Sequence, residues 1–245
     1  MYANTPQLCV KKIRAALEKD ARINLHQSNI NIDFKDDTLY LMGQVTDITV
    51  KRLANTIARQ VVKGDFVVED CLRVEGDTMG DKEIKNRVIQ ILGQEPIFAS
   101  HTILIKTGDD LEIIHDFKAN ANRILASIKN GIITLSGDVN SINHKRLAEV
   151  LMWWIPGCQQ VVNFLEINPH QLDNDSTLSD AIRMVLEKDP LVHTSQLHIG
   201  TTAGVVKLNG YLPSEQEHIF AVRDTWTVPG VQDVLDNIQV GGSLL

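Results

Sequence analysis

Cysteine is scarce in this chain: Cys9, Cys71 and Cys158 are the only three in 245 residues, odd in number and never in a C-x-x-C spacing. That excludes a disulfide framework and points to reduced, mostly buried thiols of a cytosolic protein. Long apolar runs are missing as well, since no stretch approaches the ~18 consecutive apolar residues of a membrane-spanning helix. Near the start, Lys11, Lys12 and Arg14 stand where a signal peptide would carry its apolar run. The expected location is therefore cytoplasmic, peripheral where the chain meets a membrane, and periplasmic if a leader has been removed. Basic charge is also in deficit. With 24 Lys+Arg against 31 Asp+Glu the net charge is −7, which excludes a general nucleic-acid binder. Catalytic signatures are lacking too. The eight histidines are dispersed, and His193 and His198 do not have a metal-binding helix spacing. No H-E-x-x-H, G-x-S-x-G, G-x-G-x-x-G or phosphate-loop pattern occurs. The expectation is a protein that is no enzyme and has no cofactor or metal.

What the chain has instead is repetition, which is the first thing to settle because it changes domain count and fold together. Thr38-Leu39-Tyr40-Leu41-Met42-Gly43-Gln44-Val45 returns as Ile132-Ile133-Thr134-Leu135-Ser136-Gly137-Asp138-Val139 and as Val205-Val206-Lys207-Leu208-Asn209-Gly210-Tyr211-Leu212. Eight residues beyond each glycine stand Lys51-Arg52, Lys145-Arg146 and His218-Ile219, in the first turns of a helix that Lys63-Gly64, Pro156-Gly157 and Pro229-Gly230 bring to an end. A strand follows each stop. Upstream, each copy has apolar residues at helical spacing, as in Leu8/Ile13/Leu17, Ile84/Val88/Ile91 and Leu178/Ile182/Val185. A first strand then turns into the second through Asp36-Asp37, Asn130-Gly131 or Ala203-Gly204, and such pairs favour tight hairpins.

Every copy thus reads α-β-β-α-β. The fold class is α+β: three small units, each a three-stranded mixed sheet whose third strand returns parallel to the second, with two helices on one face. The other face is left to solvent or to a neighbouring copy. Boundaries fall at residues 1–76, 77–169 and 170–245, in the polar linkers Glu75-Gly76-Asp77-Thr78 and Asn168 to Asp175. The middle copy holds an insertion at about 99–121. In it, Thr102 to Lys106 and Leu111 to His115, around the turn Thr107-Gly108-Asp109-Asp110, read as an extra hairpin: an edge ribbon on the middle sheet, or a docking edge for a partner.

The strand with its glycine, the helix with Ala after Lys-Arg, the Pro-Gly stop and the valine-rich last strand resemble the BON domain, a bacterial module of osmotic-stress, nodulation, secretin-associated and channel proteins. Three copies cover nearly the whole chain. The resemblance implies a non-catalytic module that binds phospholipid surfaces, in stress response or envelope maintenance, or that mediates protein association. The third copy departs from it, with His218-Ile219 in place of Lys-Arg.

Lys51, Arg52, Lys145 and Arg146 are the candidate lipid or anion contacts. Cations in a first helical turn oppose the helix dipole, a conflict that a recruited anion would relieve. Trp153 and Trp154 are the candidate interface or membrane contacts, with Trp226 aligned to Trp153. Ser214 and Glu217 read as a capping box. Basic against acidic residues number 11 to 10 up to Gly76, 9 to 11 over 77–169 and 4 to 10 beyond. An anionic surface is thus met by the first two copies, whereas the third suits contact with protein. The partner is a phospholipid surface; the alternative is a protein-interaction scaffold, including homo-oligomer formation, that uses an open sheet face or the inserted hairpin. The glycines carry a structural role, at a bulge or the close approach of another backbone.

Overall fold

The computed structural model describes residues 5–76, 79–108, 110–116 and 122–241. Asp77 and Thr78 of the first linker, Asp109 of the inserted turn and residues 117–121 of the insertion lie outside them. The chain divides into two compact units, Met1–Glu75 and Gly76–Leu245.

The first unit runs α1 (Pro6–Lys19), β1 (Asn29–Lys35), β2 (Thr38–Val45), α2 (Ile48–Val62) and β3 (Val67–Val74). Helix α1 starts where the Thr5 hydroxyl accepts the Leu8 amide, with proline in the first turn, and it buries the stripe Cys9, Ile13 and Leu17. Asp47 caps α2, and Lys63, in the left-handed conformation, ends it. The sheet order is β1-β2-β3, with β1 antiparallel and β3 parallel to β2.

The second unit contains the other two copies. The middle one runs α3 (Asp81–Gln94), β4 (Thr102–Thr107), β5 (Asp110–His115), β6 (Arg123–Lys129), β7 (Ile132–Val139), α4 (Ile142–Trp153) and β8 (Gln160–Ile167). The last runs α5 (Asp175–Lys188), β9 (Leu197–Thr202), β10 (Val205–Leu212), α6 (Glu215–Thr227) and β11 (Asp233–Val240). The last copy's sheet is β11-β10-β9; the middle sheet is β5-β4-β6-β7-β8. The α+β class is as expected. The inserted hairpin extends the middle sheet, with β4 parallel to β6 and β5 at the edge.

A local device unreadable from spacing recurs in this unit. The Asp81 carboxylate, at the start of α3, accepts the amides of Asn130 and Gly131 in the hairpin turn, at 2.8 and 2.9 Å. Asp175 does the same for Ala203 and Gly204. Each first helix is thereby tied to the hairpin it covers.

Helix α4 joins the two copies of this unit. Every residue from Arg146 to Met152 is buried, the signature of a helix enclosed between layers rather than lying on a surface. One side packs on β7 and β8, the other on α5 and α6. Polar ties cross the same junction: Lys188 Nζ meets Glu95 at 2.7 Å, and the Ile142 amide donates to the Gln171 side chain.

The strand glycines hold the expected close approach. Gly43, Gly137 and Gly210 have φ of +116°, +112° and +136°, and a Cβ on any of them would lie 2.0 Å from the carbonyl oxygen of Asn29, Arg123 or Gln196. No side chain fits there, and the φ is strained for every residue but glycine. The substitution Gly137→Ala is expected to cost roughly 3 kcal/mol or more, whereas Gly200→Ala, with nothing within 4 Å and no unusual φ, costs next to nothing. Urea denaturation followed by tryptophan fluorescence checks this, because Trp153, Trp154 and Trp226 all lie in the second unit.

Candidate functional site at the second helices and the middle sheet

The fourth residue of each second helix is Lys51, Lys145 or His218, and the structure gives the position one structural theme. Lys51 is 4% exposed, and its ammonium meets Asp70 of β3 and the Leu72 carbonyl, both at 2.7 Å. Burial pulls the Lys51 pKa down against the opposite pull of Asp70. In the last copy His218 Nε2 meets Asp236 of β11 at 2.5 Å. Asp70 and Asp236 hold register-equivalent places opposite Leu41 and Leu208, and Asn163 holds that place opposite Leu135. All three accept the amide two residues ahead with their own side chains. The anion that the dipole conflict calls for is thus supplied from within the fold in the outer two copies. His218 is no break in the pattern. The break is in the middle copy, where Asn163 donates to the Lys145 carbonyl and to Glu149. The Lys145 side chain is left lining a cavity of about 220 Å³ with Glu149, Asn163 and Pro229.

The next position differs more. Arg52 is half-buried. Arg146 is 4% exposed and points into the junction with the last copy, where Nε donates to the Pro229 carbonyl at 2.8 Å and Nη2 to both Asp173 oxygens at 3.0 and 2.8 Å. Pro229-Gly230, read from sequence as a helix stop, is therefore also a docking point, and a Cβ on Gly230 would lie 2.7 Å from Arg146 Nη2.

Trp153 and Trp154 are both half-buried. The Trp154 indole donates to Asp224 of α6 at 3.2 Å, while the Trp153 nitrogen is buried without a hydrogen-bond partner among the described residues. Trp226, aligned with Trp153, is 2% exposed. Burial, with the neighbouring Asp189 carboxyl, pushes the fully buried Asp224 up to about 7, against the opposing pull of Arg223. At the cap of α6, Ser214 accepts the Glu217 amide, but the Glu217 carboxylate goes to the amide and ring of His193 instead of back to the Ser214 amide. Of the thiols, Cys9 and Cys158 are buried and Cys71 is exposed. Among the described residues no group of three His, Cys, Asp or Glu is placed to hold a metal ion.

The open sheet face expected as one association surface takes a definite form in the middle copy, with residues that the sequence did not single out. Residues paired across strands share a face, so the ladder aligns Ile113, Leu104, Leu125, Ser136 and Phe164 in one row across β5, β4, β6, β7 and β8 on the side away from the helices. Ile113 is 56% and Phe164 65% exposed. In the other copies the equivalent rows are Asn31-Met42-Cys71 and His198-Asn209-Asn237. Its signal was the unbroken run Ile103-Leu104-Ile105, which marks a strand apolar on both faces.

Two outcomes follow. Replacing Arg146 by Met keeps the buried stem but removes the junction bonds, and is expected to lower the stability of the second unit by about 2–3 kcal/mol, read from tryptophan-monitored denaturation with the helical circular dichroism retained. The second concerns pH. Burial opposes the His218 charge, yet its bonds to Asp236 and Glu215 prevail and raise its pKa. A raised folded pKa means a contribution that is complete below the unfolded value of about 6.5 and is lost as pH rises through the folded one. Asp224 has the same sign, its contribution declining between its unfolded value near 3.8 and about 7. Stability of the last copy is thus expected to fall on going from pH 6 to 9. The Asp236→Asn variant reduces the part that His218 contributes above pH 6.5 and leaves the Asp224 part, as melting at each pH will tell.

No curated protein matches the chain. Among solved structures, two of CdsD, a structural protein of the type III secretion system of Chlamydia trachomatis, align over 95% of this chain. The C-terminal domain matches at 15% identity over 96% of its length with a TM-score of 0.24, and the other at 16% over 90% with 0.23. The BON domain model matches residues 9–76, 113–169 and 174–242. With glycine, hairpin and crossover strand recurring in each of these regions, the chain belongs to the BON domain family, as three tandem copies.

Proposed function

We propose that this is a non-catalytic BON-type association protein whose contact surface is the open face of the middle sheet. The observation that carries the reading is the apolar row from Ile113 to Phe164. Helices already cover the inner face, so the apolar row on the outer face is left for a second layer, and exposed apolar surface of this kind marks interaction sites. The basic helix starts support lipid contact less, because Lys51 is engaged by Asp70 and Arg146 by Asp173.

Association with a phospholipid surface is the second reading, favoured by Lys145, which Asn163 leaves without a carboxylate from β8, and by Lys106 and Lys129 beside the apolar row. The acidic last copy opposes it. Either reading suits a cytoplasmic or membrane-peripheral protein, or a periplasmic one where a leader directs it there.

Flotation with neutral and anionic vesicles, at low and high salt, separates the two. The expected outcome is no flotation, together with protein adducts from a photo-reactive residue at position 164 and none from position 235, an exposed site on the last copy's sheet. Flotation with anionic vesicles alone, lost in high salt and in Lys145→Glu, would transfer the function to lipid.

A further inference from the structure

We infer that the occupant of the open middle sheet is a second copy of this chain, docked sheet to sheet about a twofold axis that runs across the strands, along the row from Ile113 to Phe164. The inference rests on the reading of that face as an association surface and adds the partner and its orientation.

Charge picks both. Lys106 lies two residues past the row on β4 and Lys129 four past it on β6, and these strands are parallel, so both cations sit toward one end of the face. Strand β7 runs against β6, and β8 runs with β7. Asp138 and Glu166, each two residues past the row, therefore sit toward the opposite end. Arg123 shares that end, its amide donating to Asp138 at 3.4 Å. Lys106, Lys129 and Glu166 are exposed. Among the described residues none of the three has an ion-pair partner.

A twofold axis between two packed faces must lie in the plane of contact, and the direction of that axis decides which ends meet. Laid across the strands, it maps the apolar row onto itself, Phe164 against Phe164 and Leu125 against Leu125, while exchanging the two ends. The lysine end of one copy then faces the carboxylate end of the other. Laid along the strands, it would set acid against acid and lysine against lysine. The first arrangement also keeps the strands of the two sheets nearly aligned, a normal packing for sheets about 10 Å apart, and Ser136 supplies a small residue beside Phe164 that gives the two rings room for an offset stack.

The other copies of the repeat cannot extend the assembly in the same way, because their equivalent rows are Asn31-Met42-Cys71 and His198-Asn209-Asn237. The contact is isologous, so it closes at two chains.

Light scattering on the eluting protein, over a concentration series up to about 100 μM, tests this. The expected mass is twice the 27.3 kDa of one chain. Phe164→Glu, at an exposed position, should return it to one chain with its circular dichroism and tryptophan-monitored melt intact. Lys106→Glu with Lys129→Glu should weaken the dimer by about tenfold or more, and adding Asp138→Lys and Glu166→Lys to the same chain should recover it. A dimer indifferent to Phe164→Glu, or weakened by the lysine reversals and not recovered by the carboxylate ones, overturns the proposal. So does a wild type that stays monomeric throughout. In that case binding of an apolar fluorescent dye separates the two claims. Dye bound by wild type and lost in Phe164→Glu leaves the association reading standing with a different partner, and no difference between the two removes that reading as well.

Discussion

Enclosure of helix α4 between its own sheet and the helices of the last copy is the constraint on which the second unit depends. Over Arg146–Met152 the helix shows no face to water, and its side chains there must find their partners in protein. Leu147, Ala148, Val150, Leu151 and Met152 do so by burial, and Arg146 by finding the Pro229 carbonyl and the Asp173 carboxylate. An arginine suits this place better than a lysine, since its planar fork satisfies a carbonyl and a carboxylate from fixed directions. The pair of indoles at the end of the helix follows from the same enclosure: Trp154 reaches Asp224 on α6. Arg146 and Trp154 thus help two small copies, each with a marginal core, to form one larger body.

The bridge from second helix to third strand is the other recurring element, and its three forms differ in chemistry while keeping geometry. Lysine with aspartate, histidine with aspartate, and a lysine left beside asparagine occupy one register. In the first copy the pair is nearly dry, with side chains 5% and 12% exposed, and in the last it is wetter, at 20% and 32%. The wetter site is the one where a histidine can titrate without leaving a stranded buried charge. The middle copy gives up the pair altogether, and there the helix is held instead by its enclosure.

Much of the fold was legible because its determinants are local or strictly periodic. A strand glycine eight residues before the helical pair, a turn dipeptide and a stop dipeptide each constrain the backbone where they stand, and three occurrences at matching offsets reinforce one another. The burial of Lys51 and Arg146 was not legible, because Asp70 lies 19 residues from Lys51 and Pro229 lies 83 from Arg146. Spacing within a helix says which residues share a turn and nothing about a carboxylate arriving from another strand or another copy. The bridge at His218 was hidden for the same reason: the residue departs from Lys-Arg in sequence, yet it keeps its partner because the acid opposite is kept.

The open face of the middle sheet was partly written in the chain. Alternation identifies a strand by contrast between its two faces, so a strand apolar on both sides weakens the signal that reveals it, and Ile103-Leu104-Ile105 and Val161-Val162 read simply as hydrophobic strands. Only the register shows that Leu104 and Leu125 stand beside each other, turned away from the helices, with Phe164 further along the same row. The insertion then acquires a physical reason. Without β4 and β5 the row would span three strands and end at Leu125; with them it gains Leu104 and Ile113. An edge ribbon needed only to protect the sheet would be expected to carry polar residues on its outer side. This one instead enlarges an apolar row whose counterparts in the other two copies are Asn31-Met42-Cys71 and His198-Asn209-Asn237, which makes the middle copy the specialised member of three otherwise equivalent folds.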